Sequence, residues 1–214
     1  MMENIKKYPT DLYEISYREQ NLLVAGVDEV GRGCIAGPVV AAAVILPVID
    51  FSNIGLNDSK LLSSKKRNEL YSIIIESSIS YGIGIIDNKR IDEINILRAT
   101  LEAMKIAVEK LNPKPQHLLV DGNYFKFFGI PFTTIIRGDK LSNSIAAASI
   151  LAKVTRDTLI MDLGNTIYPE YDFCNNKGYG TKNHYLAIEK FGITQIHRNS
   201  FLKKFKNKCI NRFL

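Results

Sequence analysis

Tryptophan is absent and cysteine is scarce, with only Cys34, Cys174 and Cys209 in the chain. An odd number of widely spaced thiols suits neither a disulfide framework nor the paired ligands of a structural zinc site. Reduced thiols are the expectation. Histidine is equally sparse, at His117, His184 and His197. Long apolar runs are missing too: the longest uncharged stretch, 34–49, is interrupted by Gly37, Pro38 and Pro47 and falls short of the ~20 residues that cross a bilayer. It reads as a buried strand. The opening MMENIKKYPTDLYEISYREQ holds no apolar block of the ~7–15 residues that a secretory signal requires, so a cytoplasmic location is expected. Glycine and proline number 14 and 7, against 46% hydrophobic and 23% charged residues, which is ordinary globular composition. One main core is expected for 214 residues.

The net charge of +6 is unevenly placed. Segment 191–214 carries Arg198, Lys203, Lys204, Lys206, Lys208 and Arg212 and no acid, so the rest of the chain is neutral. A basic tail on a neutral body suits a phosphate backbone or another anionic surface.

Hydrophobic patterning gives the elements. Leu22–Val27 and Val39–Leu46 are apolar runs joined by a glycine-rich turn, which predicts an antiparallel pair of strands. Ser63 and Ser64 are candidate caps for a helix carrying Leu70, Ile73 and Ile74 on one face. Ser78–Ile86 reads as a third strand. Ile94, Leu97, Leu101, Met104, Val108 and Leu111 recur in steps of three and four, the stripe of an amphipathic helix that Pro113 and Pro115 end. His117–Val120 and Phe132–Ile136 read as two further strands, and Ser142–Leu163 as a helix rich in small residues. Thr181 is placed to cap a last clear helix and Gly192 to end it. This order predicts a mixed α/β layered domain with both parallel and antiparallel strand pairs.

Asp28, Asp121 and Asp139 each follow an apolar run, in VAGVD, HLLVD and TTIIRGD. If the first and fourth strands lie parallel and adjacent, Asp28 and Asp121 face each other at the rim where α/β sheets bind ligands. Glu29 follows directly. Carboxylates gathered in this way repel one another unless a cation neutralises them, and hard divalent ions that bridge to phosphate suit them. An aspartate after a strand is also a common turn residue, so none of the three is diagnostic alone. The stretch GVDEVGRG adds glycines and an arginine able to hold phosphate or sugar oxygens against the main chain. No helix with GxxxxGK[ST] spacing follows it, which disfavours a nucleotide P-loop.

GVDEVGRGCIAGPVVAAAVIL resembles the opening motif of the ribonuclease HII family, and LNDSK, VDGN, RGDKLSNSIAAASILAKVTRD and NKGYGTKNH resemble its later motifs in the same order. The resemblance runs from about Gly26 to Phe201. It implies a ribonuclease H-like mixed β-sheet flanked by helices, with a small helical C-terminal extension. Residues 1–19 are read as an N-terminal extension, 20–190 as the catalytic domain and 191–214 as a basic C-terminal segment. The resemblance implies hydrolysis on the 5′ side of a ribonucleotide in RNA–DNA hybrids or in duplex DNA, with Mg2+ or Mn2+ as cofactor. It leaves a 3′-hydroxyl and a 5′-phosphate and would serve ribonucleotide removal from DNA. It assigns catalysis and metal binding to Asp28, Glu29, Asp121 and Asp139, and it gives Gly31, Arg32 and Gly33 the 2′-hydroxyl and adjacent phosphates. Tyr179 is given the RNA–DNA junction.

Lys60, Lys153 and His184 are candidate substrate contacts, and a structural hydrogen bond is the alternative for His184. Lys140 and Arg156 are candidate phosphate contacts, and Asp157 a structural partner. Leu61 and Asn199 stand where the family often has a basic residue, which affects peripheral phosphate contacts only. A monomer is expected. The competing readings are a ribonuclease HIII-like hybrid nuclease, a non-catalytic nucleic-acid-binding module and a metal-dependent phosphomonoesterase. GRG rather than GKG argues against the first.

Overall fold

The computed structural model describes residues 8–48, 51, 54–126 and 129–210. A five-stranded sheet runs β3-β2-β1-β4-β5, from β1 (Val24–Val30), β2 (Val39–Ile45), β3 (Ser80–Ile86), β4 (His117–Asp121) and β5 (Phe132–Ile135). The first three strands are antiparallel neighbours, while β4 lies parallel to β1 and β5 parallel to β4. The expected mixed sheet, with its first and fourth strands parallel and adjacent, is therefore what forms.

β2 is apolar along its whole length because both of its faces are covered. Val39, Ala41, Ala43 and Ile45 pack in one core with Ala103, Ala107 and Val108 of α4 (Ile96–Glu109). Val40, Ala42 and Val44 pack in the other with Leu70 and Ile74 of α2 (Ser64–Ser77) and with Ala146–Ala148 of α5 (Asn143–Thr166). Burying one such valine or isoleucine contributes about 1.5–3 kcal/mol, so this strand anchors both layers. Period-two alternation sends neighbouring side chains to opposite faces, and the alanines let both helix layers approach closely.

The helix caps follow the sequence. Ser63 Oγ accepts the Lys66 N–H, Ser142 Oγ the Ile145 N–H and Thr181 Oγ1 the His184 N–H, the last opening α7 (Lys182–Phe191), which ends at Gly192. The stripe expected from Ile94 to Leu111 is broken: α3 (Asn88–Ile94) precedes α4, and Asn95 between them has φ +69. Its side chain accepts the Arg98 N–H and caps α4. β1 also runs three residues beyond the expected end at Val27, so Asp28 and Glu29 lie within the strand, opposite Ala42 and Ala41.

α1 (Leu12–Arg18) lies against the β4–β5 side of the sheet, where Tyr17 stacks on His117 at 4.1 Å and meets Thr133 Oγ1 at 3.2 Å. The short α6 (Phe173–Asn176), α7 and α8 (Asn199–Ile210) form a separate layer. Its apolar centre joins Tyr171, Phe173, Ile188 and Leu202 to Ile35 and Ala36 of the glycine-rich turn. Residues 1–7, the side chains of Lys204, Lys206, Lys208 and Cys209, and Arg212 lie outside the described residues.

Candidate active site

The parallel register of β1 and β4, Val27 opposite Val120, carries Asp28 and Asp121 to neighbouring positions at one rim. Alternation points both toward α5, since Gly26 on β1 abuts Ser144 and Leu119 on β4 packs with Ile145. Asp139 comes from a 3-10 turn, Gly138–Lys140, between β5 and α5. The Gly138 N–H donates to Asp121 Oδ1 at 2.6 Å, tying that turn to the end of β4. Glu29 joins from the other face of β1.

These acids share an unfavourable field. Burial raises the Asp28 carboxyl well above its ordinary range, and the charges of Glu29 and Asp121 raise it further. Glu29 is raised by burial and by Asp121 although Arg32 opposes the shift. Asp139 is raised by burial, then by Asp58 and Asp121, with Lys60 opposing. Asp58 is a buried fifth carboxylate that inspection of LNDSK did not single out. It accepts the Lys60 N–H at 2.9 Å and pairs with Lys140 at 3.6 Å.

Besides Lys140, two further cations answer part of this charge. Arg32 Nη1 lies 3.1 Å from Glu29 Oε1, and Lys60 Nζ lies 3.5 Å from Asp139 Oδ2. Partial burial alone would lower the Lys60 pKa, yet Asp139, Asp58 and Asp28 together raise it. Among the described residues no three His, Cys, Asp or Glu side chains converge tightly enough to ligate one ion. The acids share a rim but stand apart, two of them engaged by Arg32 and Lys60. The donor set consists of carboxylate oxygens, and burial together with mutual repulsion raises the pKa values of Asp28, Glu29 and Asp139, which fits a hard divalent cation.

Beside the acids, the turn after β1 is built around two wholly buried arginines. Arg156 of α5 donates Nε to Pro38 O, Nη1 to Lys177 O and Nη2 to Ala36 O, at 3.0, 2.8 and 3.1 Å. Arg198 donates Nε to Gly37 O, Nη1 to Arg32 O and Nη2 to Pro38 O, at 2.9, 3.1 and 3.0 Å. Five backbone carbonyls are thereby satisfied by two guanidiniums, a planar fork that lysine lacks. The same turn pairs with the later loop: Cys34 bridges Tyr179 and Ala36 bridges His197. Tyr179 is 40% exposed, with Lys153 Nζ and Arg156 Cζ each 5.9 Å from its ring centre.

Several candidate contacts are placed differently from expectation. Arg156 does not face phosphate, because it is completely buried and holds carbonyls. His184 is also completely buried and cannot touch a substrate. Its Nδ1 lies 2.8 Å from Tyr179 O and its Nε2 3.0 Å from His197 Nε2. His197 Nδ1 accepts the Thr194 N–H at 3.0 Å, so its proton sits on Nε2 and donates to His184. His184 in turn donates from Nδ1 to the Tyr179 carbonyl. Lys153 pairs with Asp157 at 2.9 Å, the structural role expected of that acid. Sequence inspection missed Arg198, whose signal is only an arginine in a basic tail.

The family described as Ribonuclease HII matches residues 25–205. The chain is similar to a ribonuclease HII of Clostridioides difficile, 50% identical over 202 residues that cover 94% of this chain and 77% of the relative. It is similar to one of Listeria innocua, 52% identical over 197 residues covering 92% and 73%. Among solved structures, ribonuclease H2 from Pyrococcus horikoshii OT3 superposes with a TM-score of 0.71 at 27% identity, covering 86% of this chain and 97% of that one. Bst-RNase HIII in complex with Mn2+ shares the fold, with a TM-score of 0.65 at 17% identity over 90% and 71% of the two chains.

Proposed function

The chain belongs to the ribonuclease HII family and is an endoribonuclease of the ribonuclease H type, and on that premise we propose that it cuts the phosphodiester 5′ of a ribonucleotide in RNA–DNA hybrids and at single ribonucleotides in duplex DNA. The products are a 3′-hydroxyl and a 5′-phosphate, and the role is ribonucleotide removal from DNA in the cytoplasm. The observation that carries this reading is the joining of the Gly31–Gly33 turn to the Tyr179 loop, through the Cys34–Tyr179 bridge, beside the acidic rim. A cutter of plain phosphodiesters needs the rim alone. A sensor of the ribose 2′-hydroxyl needs backbone able to approach a sugar closely, and a junction needs a second contact on the next nucleotide.

Asp28, Glu29, Asp121 and Asp139 would hold Mg2+ or Mn2+. Divalent ions bound there supply Lewis acidity for phosphoryl transfer and compensate the charge of the reacting phosphate. The chain's own residues do the rest. The Gly31–Gly33 backbone and Arg32 meet the ribonucleotide and its phosphates, with Lys60 at the rim and Lys153 beside Tyr179 as further phosphate contacts. Arg156 and Arg198 hold the carbonyls of that turn. The Tyr179 ring stacks on the following deoxynucleotide, where an added 2′-hydroxyl would crowd it. The catalytic unit is read as 20–190, flanked by 1–19 and the basic segment 191–214.

The test uses three duplexes, all-DNA, DNA with one ribonucleotide and RNA–DNA hybrid, each with Mg2+, Mn2+ or EDTA. Cleavage 5′ of the single ribonucleotide, an intact all-DNA duplex and no product in EDTA are expected. Cleavage of the hybrid alone would replace this reading with that of a ribonuclease HIII-like enzyme. Tyr179→Ala should lose about 1–3 kcal/mol of transition-state binding at the single ribonucleotide and less on the hybrid. Equal losses on both substrates would remove Tyr179 from junction reading.

A further inference from the structure

We propose that Glu14, in the segment preceding the catalytic motifs, is a positioning residue for the turn that carries Asp139, an inference that rests on Asp139 being a metal ligand. Glu14 is completely buried and forms no salt bridge among the described residues. Its Oε1 accepts from Ser142 Oγ at 2.7 Å, Ser144 N–H at 3.0 Å and Ser144 Oγ at 2.6 Å. Its Oε2 is buried with no hydrogen-bond partner among the described residues. A carboxylate in such a place is costly unless its donors are held firmly, and here they open α5, whose positive end favours the charge.

Those donors begin three residues after Asp139. The intervening turn is weak on its own: a single 3-10 turn entered through Arg137 at φ +59, a conformation that costs free energy for a residue with a side chain. It must be held from outside. The N-terminal segment holds it twice, because Thr10 N–H donates to Leu141 O at 3.2 Å and Asn143 N–H to Thr10 O at 2.9 Å, while Glu14 fixes Ser142 and Ser144. Ser142 at the same time caps α5. The turn is also the donor to Asp121, through the Gly138 N–H. Glu14 therefore sets the position of Asp139 directly along the chain and the orientation of Asp121 through one further hydrogen bond. Tyr17 on His117 fastens the other end of α1 to β4, the strand that ends in Asp121.

The experiment measures Mn2+ binding to the substrate-free full-length protein, from the electron paramagnetic resonance signal of free Mn2+, at a temperature well below melting. Glu14→Ala should weaken binding at least fivefold. Glu14→Gln, which keeps an Oε1 acceptor for the same donors, should stay within twofold of wild type. Val108→Ala, a cavity in the core on the opposite face of the sheet, should lower the melting temperature with unchanged Mn2+ binding. Folded Glu14→Ala that binds Mn2+ as wild type does overturns the proposal, as does an equal loss in Val108→Ala. If Glu14→Ala does not fold, Ser142→Ala/Ser144→Ala removes the two hydroxyl donors and is held to the same fivefold criterion. Asp139→Asn separates the two levels: if it binds Mn2+ as wild type does, the metal-ligand reading has failed, whereas its weakening beside an unaffected Glu14→Ala defeats the positioning role alone.

Discussion

Two glycines in one turn separate internal packing from contact with a ligand. Gly31 has φ +94, and a Cβ there would lie 2.2 Å from Arg156 Nε, so the fold itself requires glycine. At Gly33 an added Cβ meets nothing among the described residues within 4 Å. Gly33→Ala should therefore melt within about two degrees of wild type, yet cut a single embedded ribonucleotide at least tenfold more slowly, since the methyl would stand between backbone and sugar. Unaltered kcat/KM on that duplex would remove Gly33 from substrate recognition. Asp121 offers a similarly clean substitution. Asn keeps an Oδ1 to accept the Gly138 N–H and loses only the charge, so Asp121→Asn should fold normally and lose at least 100-fold in kcat at saturating Mg2+. Activity near wild type would unseat it as a ligand. The aspartates were legible in the sequence because apolar runs expose where strands deliver residues to a rim. Asp58, Arg156 and Arg198 were not, because the burial of a charged side chain depends on carbonyls and cations that only the tertiary fold brings near. His184 stayed open between substrate contact and structural hydrogen bond for the same reason, its YGTKNH context pointing equally to a surface and to an interior.

Helix α5 is the element on which the rim is built: it packs on β1 and β2, begins next to Asp139 and carries Ser149, whose hydroxyl opposes the rise in the Asp28 pKa. The contact with β1 is close enough that Gly26 has no room for a methyl group, since its Cβ would fall 2.1 Å from the Ser144 carbonyl carbon. Backbone cannot swing aside as a flexible side chain can. Gly26→Ala should cost about 3 kcal/mol or more by overpacking and should lower activity with stability, as measured by urea unfolding. A loss below about 1 kcal/mol would mean that helix and strand separate more readily than this contact implies. Most elements, including α5, were readable from periodicity and caps, but the break at Asn95 was not. Ile94 and Leu97 continue the apolar stripe across it, and the reversal there comes from one left-handed residue whose side chain caps the next helix. Composition alone showed α8 as a basic tail, and its helix was expected only from the family resemblance, because its lysines dominate the composition while Phe201, Leu202 and Phe205 supply the packing.

Across the whole molecule, the layer of α6, α7 and α8 meets the glycine-rich turn through groups that must remain neutral or fully paired. The centre of that contact is the His184–His197 pair, surrounded by Tyr171 and Phe173, with Arg198 next in sequence. Burial, and then the neighbouring His184, lower the His197 pKa to about 4, and burial lowers that of His184. Both lie below the ~6.5 of an unfolded histidine. In the window between those values the unfolded chain binds more protons than the folded one, so stability rises with pH. The contribution is fully present above about pH 6.5 and is lost as the pH falls toward 4. Each proton taken up on unfolding costs at most about 1.4 kcal/mol per pH unit. Asp28, Glu29 and Asp139 act with the opposite sign, because their raised pKa values favour the folded state as they protonate. Urea unfolding at pH 7 and pH 5 in EDTA, on wild type and on His197→Gln, isolates the histidine effect, since the acids are common to both proteins. Wild type should lose more stability between the two pH values than the variant does, although the variant starts lower for want of the Thr194 and His184 hydrogen bonds. Equal losses in the two proteins would mean that the pair is protonated in the fold at little cost.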